Sequence, residues 1–225
     1  MPLDLAIVIP VGPYDDRWST QLAQLAQLDV REIIVVFPTS LLAKQPKPER
    51  FDSRARAAFA QAGRARQLNA GAAATRARWI WFLHADSKLT MRTSDALARH
   101  ISSDEDALGY FDLRFLDDGP ALMALNSVGV WMRSRWLGLP FGDQGFVVPR
   151  HLFDRLQGFD TSLPAGEDHD FIWRARALGA RVVPVGVPLY TSARKYAVHG
   201  WWRTTGQHLR ATWRQAREFS QRVRT

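Results

Sequence analysis

The sequence has no cysteine, which excludes disulfides and thiolate metal sites without fixing the compartment. It has no long apolar run. Leu5 to Ile9 is far too short for a signal core or a membrane span, and the start, Met1-Pro2-Leu3-Asp4, lacks a basic leader region. No other stretch reaches the roughly 18 apolar residues that a span needs, so the expected location is the cytoplasm. There is no internal repeat, no low-complexity segment and no clear domain boundary. A chain of 225 residues with 46% hydrophobic and 23% charged residues therefore suits one globular domain with a full core.

Acidic residues are scarce at one end. From Arg194 onward there are eight Arg or Lys and a single acid, Glu218, a net +7 out of a total of +8. The body is nearly neutral and the tail is a basic appendage, suited to a membrane surface, a diphosphate or a nucleic acid, or simply a solvated helix face. From His199 the tail reads as a helix with Trp202, Leu209 and Trp213 on one side and arginines bordering them. The expected division is a domain over residues 1–198 and an amphipathic basic helix over 199–225. That helix either packs on the body or lies on an anionic bilayer.

The body alternates strand and helix signals. Leu5 to Ile9 and Ile33 to Phe37 are short, continuous and rich in β-branched residues, as buried strands are. Between them Asp15 and Asp16 can cap a helix with the stripe Leu22, Leu25 and Leu28. A β-α-β opening implies a parallel sheet with a right-handed crossover. The stretch Lys44 to Glu49 reads as a loop, Arg66 to Arg76 as a helix, and Trp79 to Leu83 as a buried strand. Thr93 to Ile101, Ala121 to Leu137, His151 to Leu156 and Glu167 to Leu178 read as helices. Leu108 to Phe115 reads as a strand with one wet face, and Phe146 to Val148, Arg181 to Val185 and Val187 to Thr191 as further strands.

Five places carry candidate chemistry. Asp86, in His84-Ala85-Asp86, sits just past a buried strand, where a carboxylate can hold Mg²⁺ or Mn²⁺ beside a phosphorylated ligand; a turn-forming Asp accounts for it equally well. His84 itself fits a structural role better than a ligand role. Gly63 to Gly71 places Arg64, Arg66 and Asn69 at a helix start, suited to an anion, or to a solvated basic face. Asp143 and Gln144, between Gly142 and Gly145, form a polar corner that can meet sugar hydroxyls or serve as an ordinary turn. Glu167, Asp168 and Asp170 exceed what a helix cap needs, and their mutual repulsion should raise the proton affinity of at least one, as a general base requires. Arg194 and Lys195 end the last strand, where paired cations can clamp a diphosphate or remain solvated.

These corners together resemble the family 2 glycosyltransferases of GT-A fold, most closely a bacterial subgroup carrying GRARQxNAG, FLHAD, GDQ and ED segments. Here those are Gly63 to Gly71, Phe82 to Asp86, Gly142 to Gln144, and Glu167-Asp168, in that order between Leu5 and about Thr205. The resemblance implies an α/β, single-domain, Rossmann-like mixed sheet flanked by helices. It implies a UDP- or GDP-sugar donor, a divalent metal at Asp86 and a catalytic carboxylate at Asp168 beside Glu167. Pro10, Arg64, Arg66, Asn69, Asp86, Arg194 and Lys195 would meet the donor. Asp143, Gln144 and Asp170 would meet sugar or acceptor. The acceptor is unknown, a lipid-linked one being among the candidates. No nucleic-acid partner is expected, and the expected location is the cytoplasm, either free or peripheral to the inner membrane face.

Two segments depart from that pattern. The family places an Asn-Glu pair after the first strand's proline, where this chain has Val11-Gly12-Pro13-Tyr14-Asp15-Asp16. It places an acidic residue with Gly-Ser after the second strand, where this chain has Phe37-Pro38-Thr39-Ser40. A sugar nucleotidylyltransferase is disfavoured, because Val11-Gly12-Pro13 is too poor in glycine and base for its phosphate loop. A non-catalytic binding protein of the same fold is the alternative from another class.

Overall fold

The computed structural model describes residues 1–103, 107–120 and 123–193. Seven strands form one mixed sheet. In chain order they are β1 (Leu3–Pro10), β2 (Val30–Pro38), β3 (Ala55–Ala60), β4 (Trp79–Phe82), β5 (Leu108–Phe115), β6 (Phe146–Pro149) and β7 (Val182–Thr191). Their spatial order is β3-β2-β1-β4-β6-β5-β7. The helices are α1 (Arg17–Leu25), α2 (Arg64–Ala73), α3 (Thr93–Ser103), α4 (Met123–Trp136), α5 (Arg150–Arg155) and α6 (Glu167–Ala177). Among the described residues no helix is long and apolar enough to cross a membrane.

The period of two along each central strand builds a core on each face. Leu5, Ile7 and Ile9 of β1 point to the same side as Ile33, Val35, Trp79 and Trp81, and pack with Leu22 and Leu25 of α1 and Leu97 of α3. Val8, Ile34, Val36, Ile80 and Phe82 point to the other side, against Leu68 of α2, Phe153 of α5 and Phe171 of α6. The continuous apolar reading of these strands is thus explained by helices on both faces.

Four sequence expectations change. β3, with its run of small alanines, carries no strong strand signal. It becomes a strand by running parallel to β2 from Ala55↔Ile33 to Ala60↔Pro38. The Lys44–Glu49 loop is bracketed by 3-10 turns at Thr39–Lys44 and Pro48–Arg50. Residues Leu108 to Phe111 of β5 are buried, with no wet face, because both faces are covered there: Tyr110 lies against α4 through its hydroxyl and Ser134 O, and Phe111 stacks on Trp81. The two last expected strands are one, β7, with Gly186 at a positive φ of 90° and a shift of register against β5 between Tyr110 and Asp112. The basic helix expected over 199–225 lies outside the described residues.

Two features of the topology position a site. β1 lies between β2 and β4, so the chain order reverses there, and a crevice opens at the carboxyl ends of β1 and β4. β6 runs antiparallel to β4 with Phe146 opposite Phe82. The Gly142–Gly145 turn that precedes β6 is therefore delivered to the same end of the sheet as His84 and Asp86.

Candidate active site

Asp86 follows β4 in a short turn. Leu83 N–H donates to Val8 O at 3.0 Å, and Lys88 exchanges backbone hydrogen bonds with Tyr190 of β7 at 2.8 and 3.0 Å. The turn is thereby fixed at both ends. Its Asp86 carboxylate is one-quarter exposed and meets Arg17 of α1, whose Nη1 lies 3.2 Å from Oδ2. Arg17 is held more firmly by Asp15. Its backbone N–H, Nε and Nη2 donate to that carboxylate at 3.0, 2.8 and 2.7 Å. This pairing, chiefly the side-chain hydrogen bonds of Arg17, holds the Asp15 carboxyl below its ordinary range. Arg17, Asp86, Lys88, Asp117 and Ser192 help line a cleft of about 530 Å³. Asp16 precedes α1 but makes no capping side-chain bond, and Asp15 takes that part through the Arg17 N–H.

A second corner lies at the start of α6. Asp168 accepts from the backbone N–H groups of Gly142 at 2.7 Å and His169 at 2.9 Å. Burial raises its proton affinity, but Arg64, His169 and the two N–H groups outweigh burial and hold its carboxyl below the ordinary range. The repulsion expected among the three acids is not what governs Asp168, because Arg64 faces both Asp168 and Glu167, and Asp170 is paired elsewhere. Glu167 lies 3.5 Å from Arg64 Nε, and buried Asp170 pairs with Arg174 at 2.6 Å. Arg174 in turn donates to Gly158 O at 2.8 Å, so Asp170 is engaged in tying α6 to the preceding loop.

Arg64 and His84 join the two corners. Arg64 Nη2 contacts His84 Nε2. Burial first, then the Arg64 charge, drives the His84 imidazole well below its usual range, so it is neutral near pH 7; Asp168, Arg17 and Asp15 also act on it electrostatically. Gly142 is required in this arrangement. A Cβ there would stand 2.4 Å from Arg64 Nη2 and 3.1 Å from Asp168 Oδ2.

The remaining candidates among the described residues lie outside the lining of the cleft, and most are braces. In the Gly63–Gly71 segment only Arg64 enters the cluster just described. Arg66 is exposed and reaches Ala62 O at 3.4 Å. Buried Gln67 donates from Nε2 to Val11 O and Val36 O at 2.8 and 2.9 Å, stitching the ends of β1 and β2. Asn69, expected at the donor, instead brackets Phe159: its Nδ2 donates to Phe159 O at 2.8 Å, and Phe159 N–H donates to its Oδ1 at 2.9 Å. Gly71 lets α2 press on the sheet, since a Cβ would lie 2.3 Å from Val8 Cγ1. Gln144, expected to meet sugar hydroxyls, is fully buried. It accepts from Phe141 N–H and Ser134 Oγ, both at 2.9 Å, and donates to Phe111 O at 2.9 Å. Its amide is consumed by the turn, while its neighbour Asp143 is half-buried. Pro10 ends β1 opposite Val36. Arg194 and Lys195 lie outside the described residues.

Sequence reasoning did not single out Arg17, and His84, read there as a structural residue, is buried and neutral against Arg64. Asp15-x-Arg17 is a visible local pair, but nothing in the sequence links Arg17 to Asp86, 69 positions away.

No protein-family model matches the chain, and none of the curated proteins matches its sequence. Solved structures do match its shape. The mannosyltransferase PcManGT of Pyrobaculum calidifontis, solved with GDP-Man and Mn²⁺, has a TM-score of 0.66 and 18% identity over 93% of this chain. TarS residues 1–349 of S. aureus, solved with UDP-GlcNAc, has a TM-score of 0.59 and 17% identity over 85% of this chain. The same protein solved with UDP scores 0.60. The chain has a GT-A-like fold. It spans about three fifths of these neighbours' lengths, 62% of the first and 58% of the second.

Proposed function

We propose that the chain is a glycosyltransferase that moves a sugar from a nucleotide-diphosphate-sugar donor to an acceptor hydroxyl, with inversion. One observation carries this reading. Asp86, beside an open cleft, and Asp168, in a closed corner, are joined through Arg64 and His84 at the switch point of a GT-A-like sheet. The donors bound by the similar structures, GDP-Man and UDP-GlcNAc, support a GDP- or UDP-sugar.

Asp168 removes the proton from the acceptor hydroxyl. It does so as the acceptor oxygen bonds to the anomeric carbon and the bond from that carbon to the diphosphate breaks on the opposite face. Arg64 and the two N–H groups keep Asp168 ionised at neutral pH. Its modest proton affinity suits a late transfer, when the attacking oxygen has become acidic. Glu167 sets the position of Arg64 from the other side.

A divalent ion fits this site in one form only. Among the described residues no group of three or more His, Asp or Glu is placed to hold an ion. Asp86 is a single, partly exposed oxygen donor on the cleft, so Mg²⁺ or Mn²⁺ there would complete its shell with phosphate oxygens and water. When bound, it would stabilise the charge that grows on the departing diphosphate. Arg66, Arg194 and Lys195 remain proposed contacts of the donor, and Asp143 of the sugar. An amphiphilic, lipid-linked acceptor met at a membrane surface is supported by the outer side of α4, where Leu125, Val128, Met132 and Trp136 are exposed.

The test is calorimetric titration of UDP, UDP-GlcNAc, GDP and GDP-Man with and without Mn²⁺. Binding of one nucleotide that needs the ion, and that Asp86→Ala abolishes without lowering the melting temperature, is the expected result. Equal affinity in wild type and Asp86→Ala removes Asp86 from the donor site.

A further inference from the structure

The segment Val11 to Asp16 departs from the resembled pattern, and the structure shows what stands there: a seat for Arg17. Asp15 takes the guanidinium on two points, through Nε at 2.8 Å and Nη2 at 2.7 Å. Asp86 takes only Nη1, on one point and at the longer distance of 3.2 Å. The two contacts differ in strength for that reason, since two-point pairs of arginine with carboxylate are the stronger and more directional kind. Arg17 is thus anchored at Asp15 and leans on Asp86.

We infer that Arg17 is a resident counter-cation of Asp86, which a divalent ion must displace to reach that carboxylate and which then remains in the cleft as a phosphate-binding group. Three facts support the exchange. The Asp86 contact is the weak one, so it breaks first while Asp15 retains the side chain. Arg17 is about half exposed and lines the cleft with Asp86 and Lys88, so it has room to turn. A guanidinium next to Asp86 repels a second cation, which depresses the ion's affinity until an anionic ligand is there to be shared. The consequence is order: the ion and the diphosphate bind well together and poorly apart. This inference rests on the reading of Asp86 as the metal-binding carboxylate.

The full-length protein, free of nucleotide, is titrated with Mn²⁺ at low ionic strength, and free ion is followed by electron paramagnetic resonance. Arg17→Gln should bind Mn²⁺ about tenfold more tightly than wild type, as removal of a neighbouring unit charge implies. Arg17→Met should do the same, and Arg17→Lys should stay close to wild type. With saturating Mn²⁺, Arg17→Gln should bind UDP about tenfold more weakly. Adding Asp86→Asn should abolish Mn²⁺ binding in every background. If Arg17→Gln and Arg17→Met bind Mn²⁺ no better than wild type while Asp86→Asn abolishes it, the inference falls and Asp86 keeps its metal. If Asp86→Asn leaves Mn²⁺ binding intact, or no variant binds Mn²⁺, both the inference and the metal role of Asp86 fall. The transferase reading is then judged separately by metal-free titration with the nucleotide sugars.

Discussion

Two arginine–carboxylate corners stand at one end of the sheet, and they are built in opposite ways. At Asp86 the carboxylate is partly exposed, touches Arg17 through one long contact and faces a cleft of about 530 Å³. At Asp168 the carboxylate is enclosed, receives two backbone N–H groups and lies against Arg64, with a glycine that no larger residue can replace freely. The first corner can exchange its partner; the second cannot without rebuilding the turn at Gly142. A site that must admit and release a charged ligand needs the first kind. A group that must hold one position through a reaction needs the second.

The largest effect that can sharpen this contrast is at Asp168. Asp168→Asn keeps the size and removes the proposed base, although its NH2 must face one of the two backbone donors, so turnover should fall about 10²-fold or more while donor binding by the folded variant persists. Normal turnover in this variant, with loss in Glu167→Gln instead, would move the base by one residue.

A smaller effect separates the braces from the cleft. Asn69→Leu leaves the backbone N–H and C=O of Phe159 without partners, so urea unfolding should show a loss of about 2 kcal/mol or more. UDP affinity of the folded protein should be unchanged. A selective loss of UDP affinity at full stability would return Asn69 to the donor site.

Gly142→Ala tests how closed the second corner is. The added methyl must push Arg64 or Asp168 aside, an overpacking cost of about 1–3 kcal/mol, and turnover should drop with it. Gly129→Ala is the control. It lies inside α4 with nothing within 4 Å of its Cβ position, so helix propensity should make it neutral or stabilising by about 1 kcal/mol.

The smallest effect is in pH. The folded-state pKa of His84 is depressed, so the unfolded chain binds its proton first as pH falls. Stability from neutral His84 is therefore present above the unfolded value near 6.5 and is lost as pH falls below it, by at most about 1.4 kcal/mol per pH unit for one proton. His84→Gln should flatten the stability profile between pH 7 and 5. An unchanged slope would mean that His84 is not enclosed with Arg64 in solution.

Much of this molecule was determined by local sequence. Runs such as Leu5 to Ile9 and Trp79 to Phe82 are apolar on both alternating sides, and only a strand covered on both faces satisfies that. The caps, prolines and glycines mark where those runs stop, so most elements and the acidic corners at Asp86 and Glu167-Asp168 were visible. β3 was not, because its alanines carry no periodic signal and its strand state comes from pairing with β2. The division of labour within the Gly63–Gly71 segment was not visible either. Arg64, Gln67 and Asn69 are similar as polar residues on a helix. Only the packing of α2 sends one to His84, one to the ends of β1 and β2, and one to Phe159. Gln144 and Asp143 look alike as polar turn residues, yet closure of the turn over Phe111 consumes the amide of Gln144. The contact of Arg17 with Asp86 belongs wholly to the tertiary structure. It exists because parallel pairing of β1 with β4 brings two loops to one end of the sheet, and charge interaction acts through distance in space rather than along the chain.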